Sequence, residues 1–245
     1  MNSGVLYDLV IKCDRIFCSE CKLDGPGEVA IRNGRIVSSG ETVSTTIEKV
    51  DFRDALLLPG LIDMHAHPAR GGSRYGVDPD IHCLPRGVTT ILSQGDAGAK
   101  NWLEYCEKVI RKSKSRVLMA INLCKAGESH SNRCFMNIDD ADVDACISAI
   151  ENGDDLIWGI SLNTSVAACG KLDAKRIMSR GLEVAEETGL PLLLGSRMNK
   201  DWPLEEQLPL LRSGDVMTYC FNSNEENVLR NGKIMDAVSE ARERG

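Results

Sequence analysis

From Leu61 onward the chain alternates short apolar runs with longer amphipathic segments, and that rhythm restricts it to a small set of folds. The runs are Leu61 to His65, Val88 to Ser93, Val117 to Leu123, Leu156 to Leu162, Leu192 to Leu194 and Val216 to Phe221. Helical patterns cover Trp102 to Lys112, Asp142 to Glu151, Ala174 to Thr188, Leu204 to Leu211 and Ile234 to Arg244. A strand and a helix recurring at roughly 30-residue spacing make βα units, whose strands pair in parallel. Both an open doubly wound sheet and a (β/α)8 barrel have this order. No GxGxxG follows the first run and no GxxxxGK[ST] occurs, so the phosphate-binding fingerprints of the open sheet are missing.

The first 55 residues read differently. Tyr7 to Phe17 and Glu28 to Ser38 alternate apolar and polar residues, and Asn33-Gly34 inside the second is a tight hairpin signal. A third strand is expected at Ile47 to Phe52. The organisation predicted is a small N-terminal β-module over residues 1–55 and a (β/α) unit over residues 56–245.

Composition excludes several classes. With 42% hydrophobic and 27% charged residues the chain is neither collagen-like, coiled-coil nor disordered. Its net charge of −7, with no basic run interleaved with aromatics, argues against nucleic-acid binding. The N-terminus lacks a basic start followed by an apolar stretch, and no run approaches the roughly 18 uncharged residues of a membrane span. A cytoplasmic protein with no membrane contact is expected. Ten cysteines are scattered from Cys13 to Cys220 and read as buried free thiols. Cys18-Ser-Glu-Cys21 has metal or redox spacing, but no second CxxC completes a zinc site.

The chemistry-bearing segment is Pro59-Gly60-Leu61-Ile62-Asp63-Met64-His65-Ala66-His67. His65 and His67 are two apart, so on an extended strand they share a side and can chelate one ion. Neutral imidazoles at that spacing suit zinc or a similar divalent ion. Two hydrogen-bonded histidines at a strand end are the plain alternative. His82 and His130, in loops after the first and third runs, have no partner at chelating spacing and read as exposed loop residues.

This segment resembles the entry strand of the amidohydrolase superfamily. Tyr7-Asp8-Leu9-Val10-Ile11-Lys12, Val29 to Ile36 and Gly87-Val88-Thr89-Thr90 are similar to the opening of dihydroorotases, hydantoinases and deacetylase-like relatives. Gly76 to Asp80, Asp96-Ala97-Gly98-Ala99, Ser115 to Leu118, Leu211 to Asp215 and Ala241 to Gly245 point to the dihydroorotase-like or amidohydrolase/deacetylase branch. The resemblance implies a metal-dependent (β/α)8 barrel beside a small β-sandwich. It also implies hydrolysis of cyclic or N-acyl amide C–N bonds by a metal-activated water, with zinc the first choice of ion.

By the resemblance His65 and His67 are the first two metal ligands. The bridging lysine of the fourth strand maps onto Ser161, the histidine of the fifth onto Gly195 and that of the sixth onto Tyr219, so three ligands are replaced. Cys220 beside Tyr219 offers a thiol, which burial makes inert. The aspartate that ends an eighth strand has no counterpart. Six strands are legible, and the sequence reads as a C-terminally truncated, incomplete barrel.

Two functions follow. One is a hydrolase of a small-molecule amide. The other is a catalytically inactive or fragmentary relative that keeps the scaffold for binding or assembly, as a homo-oligomer or with a complementing fragment. Catalytic zinc usually takes three protein ligands, so a two-histidine chain is expected to hydrolyse amides poorly.

Overall fold

The computed structural model describes residues 6–40, 46–70, 76–128 and 134–245. The chain divides into two compact units, Met1–Leu61 and Ile62–Gly245.

The first unit is a four-stranded mixed sheet of β1 (Tyr7–Cys18), β2 (Leu23–Arg32), β3 (Arg35–Ser39) and β4 (Thr46–Leu57), in the order β3-β2-β1-β4. β2 and β3 form the hairpin expected at Asn33-Gly34, whose φ values of 51° and 69° are both left-handed, as a type I′ turn requires. β1 pairs antiparallel with β2 and parallel with β4. Its core is small: Cys13, Ile16 and Val29 are buried, with Leu23 and Leu57 packed against them.

The second unit carries the βα rhythm. Its sheet orders β5 (Leu61–Ala66), β6 (Val88–Gly98), β7 (Arg116–Asn122), β8 (Ile157–Asn163), β9 (Leu192–Gly195) and β10 (Val216–Thr218) consecutively. The pairs from β6 through β10 are parallel, as helical crossovers between neighbours demand. This is the barrel-type arrangement, present as six strands. No helix among the described residues is long and apolar enough to cross a membrane.

The two-residue period of the strands sorts their side chains. Met119, Ile121, Ile160, Leu162, Leu192 and Leu194 are fully buried in one apolar core. The residues between them, ending in Asn122, Ser161, Asn163 and Gly195, fall on the opposite face. The helix Ala174–Thr188 shows how a crossover is made. Asp173 caps its N-terminus by accepting from the Lys175 amide, Gly189 ends it at a left-handed φ of 68°, and Ile177, Met178, Val184 and Ala185 form its buried stripe.

The helix expected over Trp102 to Lys112 is α-helical only to Lys108, the one expected from Ile234 begins at Asp236, and three further elements differ. The Val88 strand runs on to Gly98, because Ser93, Gln94 and Asp96 are buried polar residues held by hydrogen bonds rather than loop residues. The last strand stops at Thr218 instead of Phe221, where Tyr219 turns left-handed at φ 59°. The helix expected over Leu204 to Leu211 is α-helical only to Gln207 and then tightens into a 3-10 turn at Pro209, which has no amide to give the ladder.

Gly98, at the end of β6, lies against backbone. A Cβ there would sit 2.0 Å from the Cys124 carbonyl oxygen and 2.7 Å from the Lys125 carbonyl carbon. Gly98→Ala is therefore expected to destabilise the fold by about 3 kcal/mol, seen as a lower urea midpoint with an unchanged slope. An unchanged midpoint would show that this strand end relaxes without cost.

Candidate active site at the strand ends

The C-terminal ends of the parallel strands gather the polar residues. His65 and His67 leave β5 with their ring centroids 5.8 Å apart and nearly perpendicular, at 75°. Each ring is anchored through Nδ1. That of His65 lies 2.5 Å from Thr218 Oγ1 at the end of β10, and that of His67 lies 3.0 Å from Asp96 Oδ1 on β6. Asp96 is completely buried, and its other carboxylate oxygen accepts from the Ser93 hydroxyl at 2.6 Å. A carboxylate fixed in this way sets the orientation and tautomer of the imidazole it holds.

Behind the histidines a second polar layer is packed without slack. Gln94 Nε2 donates to Ser161 Oγ at 2.9 Å, and Asn122 Nδ2 donates to the Gly95 carbonyl at 3.1 Å. Gly95 itself has φ 74°, and a Cβ there would meet Ser161 Oγ at 2.7 Å and Asn122 Nδ2 at 2.8 Å. Only glycine satisfies both the conformation and the space. The Glu128 amide donates to the same Gly95 carbonyl, bringing its carboxylate to the site.

The electrostatics separate the two imidazoles. Burial, then the charge of His67, push His65 below the ordinary histidine value. Burial also opposes charge on His67, but the Asp96 hydrogen bond and the charges of Asp96 and Glu128 outweigh it and raise His67 above that value. Glu128 is itself raised by burial, although the charge of His67 draws it down.

No family model matches the chain. A deacetylase of Brucella anthropi is 29% identical over 196 residues, which are 78% of this chain and 48% of that protein. Among solved structures, an adenine deaminase superposes with a TM-score of 0.81 at 25% identity, over 98% of this chain and 64% of its own. A dihydroorotase superposes with a TM-score of 0.82 at 22% identity, over 95% and 62%. The chain is similar in sequence to the deacetylase and shares the fold of these two solved structures. It spans about half the length of the deacetylase it matches.

The positions that the superfamily resemblance singled out can now be placed. Tyr219 stands edge-on against His65, with ring centroids 4.8 Å apart. Gly195 is beside it, since a Cβ at Gly195 would lie 3.4 Å from Tyr219 Cε2 and 3.3 Å from Asn163 Cγ. Ser161 is buried with its hydroxyl engaged by Gln94. Cys220 donates to the Met217 carbonyl at 3.2 Å, and burial raises its thiol pKa. His82 is exposed on the short helix Pro79–His82, and His130 lies outside the described residues.

The donor set does not fit a catalytic metal. Such a centre takes three protein ligands, and among the described residues no three His, Cys, Asp or Glu side chains are placed to hold one ion. Of the replaced positions, Ser161 offers a committed hydroxyl, Gly195 offers nothing, and Tyr219 a phenol packed on a histidine.

Asp96, Glu128 and Thr218 were not singled out by the sequence reading. Asp96 had one usable signal, a carboxylate three residues beyond an apolar strand run, at the end where a (β/α) barrel opens its site.

The Asp96–His67 pair has a measurable signature. In an NMR titration of the imidazoles, His67 is expected to titrate above about 6.5 and His65 below it. Asp96→Asn removes the larger part of what raises His67 and leaves its burial and the charge of Glu128, so His67 should fall. The stability His67 contributes is fully present below its unfolded value of about 6.5 and is lost as pH rises through its raised folded pKa. Asp96→Asn should reduce that slope. An unshifted His67 in the variant would show that Asp96 does not control it.

Proposed function

We propose that this chain carries out amidohydrolase-type hydrolysis of a cyclic or N-acyl amide C–N bond in a small-molecule substrate, in the cytoplasm and away from nucleic acid and membrane. The observation that supports it most is the meeting of His65 and His67 at the strand ends, with Asp96 holding His67. Two imidazoles whose environments push their pKa values apart divide acid and base work between them. Neutral His65 accepts the proton of the attacking water at Nε2. The His67 imidazolium, stabilised by Asp96, donates its proton to the departing nitrogen. Gln94 Oε1 is buried without a partner among the described residues and is assigned to a substrate N–H.

Zinc, the ion that paired imidazoles suit, is proposed to bind His65 and His67 weakly and below one ion per chain. Hydrolysis then rests on the side chains, and general acid–base chemistry of this kind accelerates a reaction by about 10²–10⁴-fold. The turnover proposed is slow.

A second reading, a binding protein without catalysis, is favoured by one feature: the side chains at Ser161, Gly195 and Tyr219 fill or vacate the positions that hold ligands in the resemblance. Assembly as a homo-oligomer or with a complementing fragment belongs to that reading. The test is product release from N-acyl amino acids, dihydroorotate and hydantoins, with and without zinc, beside calorimetry of the same compounds. Turnover of any of them supports the hydrolase. Binding with no turnover supports the second reading.

A further inference from the structure

The sequence pair Cys18-Ser-Glu-Cys21 plays no part in the site above. β1 ends at Cys18 and β2 begins at Leu23, so both cysteines belong to the four-residue turn between them or to its first flank. The Lys22 amide closes this turn on the Ser19 carbonyl at 3.1 Å, and Lys22 takes the left-handed φ of 54° needed to re-enter the sheet. That closure folds Cys21 back over Cys18. The Cys21 amide donates to Cys18 Sγ at 3.4 Å. Both are free thiols, with Cys21 exposed and Cys18 half-buried. They also line an apolar cavity of about 310 Å³ with Ile16, Leu23, Ile36 and Leu57, which gives a small disulfide a surface to approach.

We propose that Cys18 and Cys21 form a reversible dithiol–disulfide pair that exchanges with low-molecular-weight disulfides. Cys18 is the attacking thiol. The Cys21 amide donates to its sulfur and favours the thiolate, which lowers its pKa, whereas the neighbouring Cys18 raises that of Cys21. The Cys18 thiolate attacks one sulfur of a disulfide RSSR, forming Cys18–S–S–R and releasing RS⁻. Cys21, losing its proton to solvent, then attacks Cys18 Sγ and expels the second RS⁻. Two protein thiols are oxidised, one external disulfide is reduced to two thiols, and the cycle reverses with excess RSH. Cys83, Cys134 and Cys220 are half-buried like Cys18, but burial raises their thiols. Cys13, Cys106, Cys124, Cys146 and Cys169 are buried, and burial pushes Cys146 and Cys169 up to about 12.

The test is to incubate the whole chain with glutathione disulfide, quench with acid and map the peptides by mass spectrometry, beside Cys18→Ser and Cys21→Ser. The expected wild-type product is a peptide containing Cys18 and Cys21 that has lost two hydrogens and carries no glutathione, restored by excess glutathione. Cys21→Ser should stop at a glutathione adduct on Cys18. Cys18→Ser should form an adduct on Cys21 more slowly than Cys21→Ser does on Cys18, because the amide of position 21 still donates to Cys18 Sγ and favours its thiolate. Cys18 is the half-buried last residue of β1 and Cys21 lies in the exposed turn after it, and an unchanged urea midpoint checks that the sheet is intact in both variants. Stable glutathione adducts on both wild-type cysteines, or equal rates for the two single variants, would overturn the proposal.

Discussion

The Gly195→His, Tyr219→His double variant is expected to bind zinc at least about 100-fold more tightly than the wild type. The wild type brings two imidazoles to the strand ends and no third donor of the kind zinc holds among the described residues. Room for the new side chains exists. A Cβ at Gly195 would touch Asn163 Cγ at 3.3 Å and Tyr219 Cε2 at 3.4 Å, contacts that need neighbours to give by only a few tenths of an ångström, and the second substitution removes one of them. Position 219 has φ 59°, which histidine tolerates better than most residues, and the present ring there is already 4.8 Å from that of His65. Either single variant should gain less than its share, because ligands of one ion act as a unit. Competition against a chromophoric chelator, with metal analysis after dialysis, measures the affinities. Equal affinity in wild type and double variant would show that positions 195 and 219 do not share an ion with His65 and His67.

The fold was legible where burial is apolar. The runs at Val117, Leu156 and Leu192 became β7, β8 and β9 within a residue or so, because a parallel strand covered by helices must be apolar on its packed face. Legibility failed where burial is polar. Gln94 and Asp96 look like loop residues, yet they are buried, with Ser161 on β8 engaging Gln94 Nε2 and with Ser93 and His67 engaging Asp96. Such partners are 67 and 29 residues away in the case of Ser161 and His67, beyond any local pattern.

The site divided along the same line. His65 and His67 share one strand, so their spacing alone announced them. Asp96, Glu128 and Thr218 come from three other parts of the chain and are joined to the histidines only by the curl of the sheet. The early end of β10 was equally hidden. Thr218 to Phe221 continues an apolar run, and nothing in the residue types reports that Tyr219 turns left-handed to lay its ring on His65.

Amide hydrolysis by the wild type and by His65→Ala, His67→Ala, measured side by side, tests the central claim most directly. In the proposed mechanism, removing both imidazoles deletes the base that takes the proton of water and the acid that protonates the leaving nitrogen. The wild type is expected to hydrolyse at least one of the N-acyl amino acids, dihydroorotate or hydantoins, and the double variant to lose about 10²–10⁴-fold in kcat/KM. The two proteins should have matching circular dichroism, since both side chains are only partly buried. Chelator should leave most of the wild-type rate, because the step belongs to the side chains. Wild-type turnover no greater than that of the double variant, on every compound and with zinc added, would contradict the account.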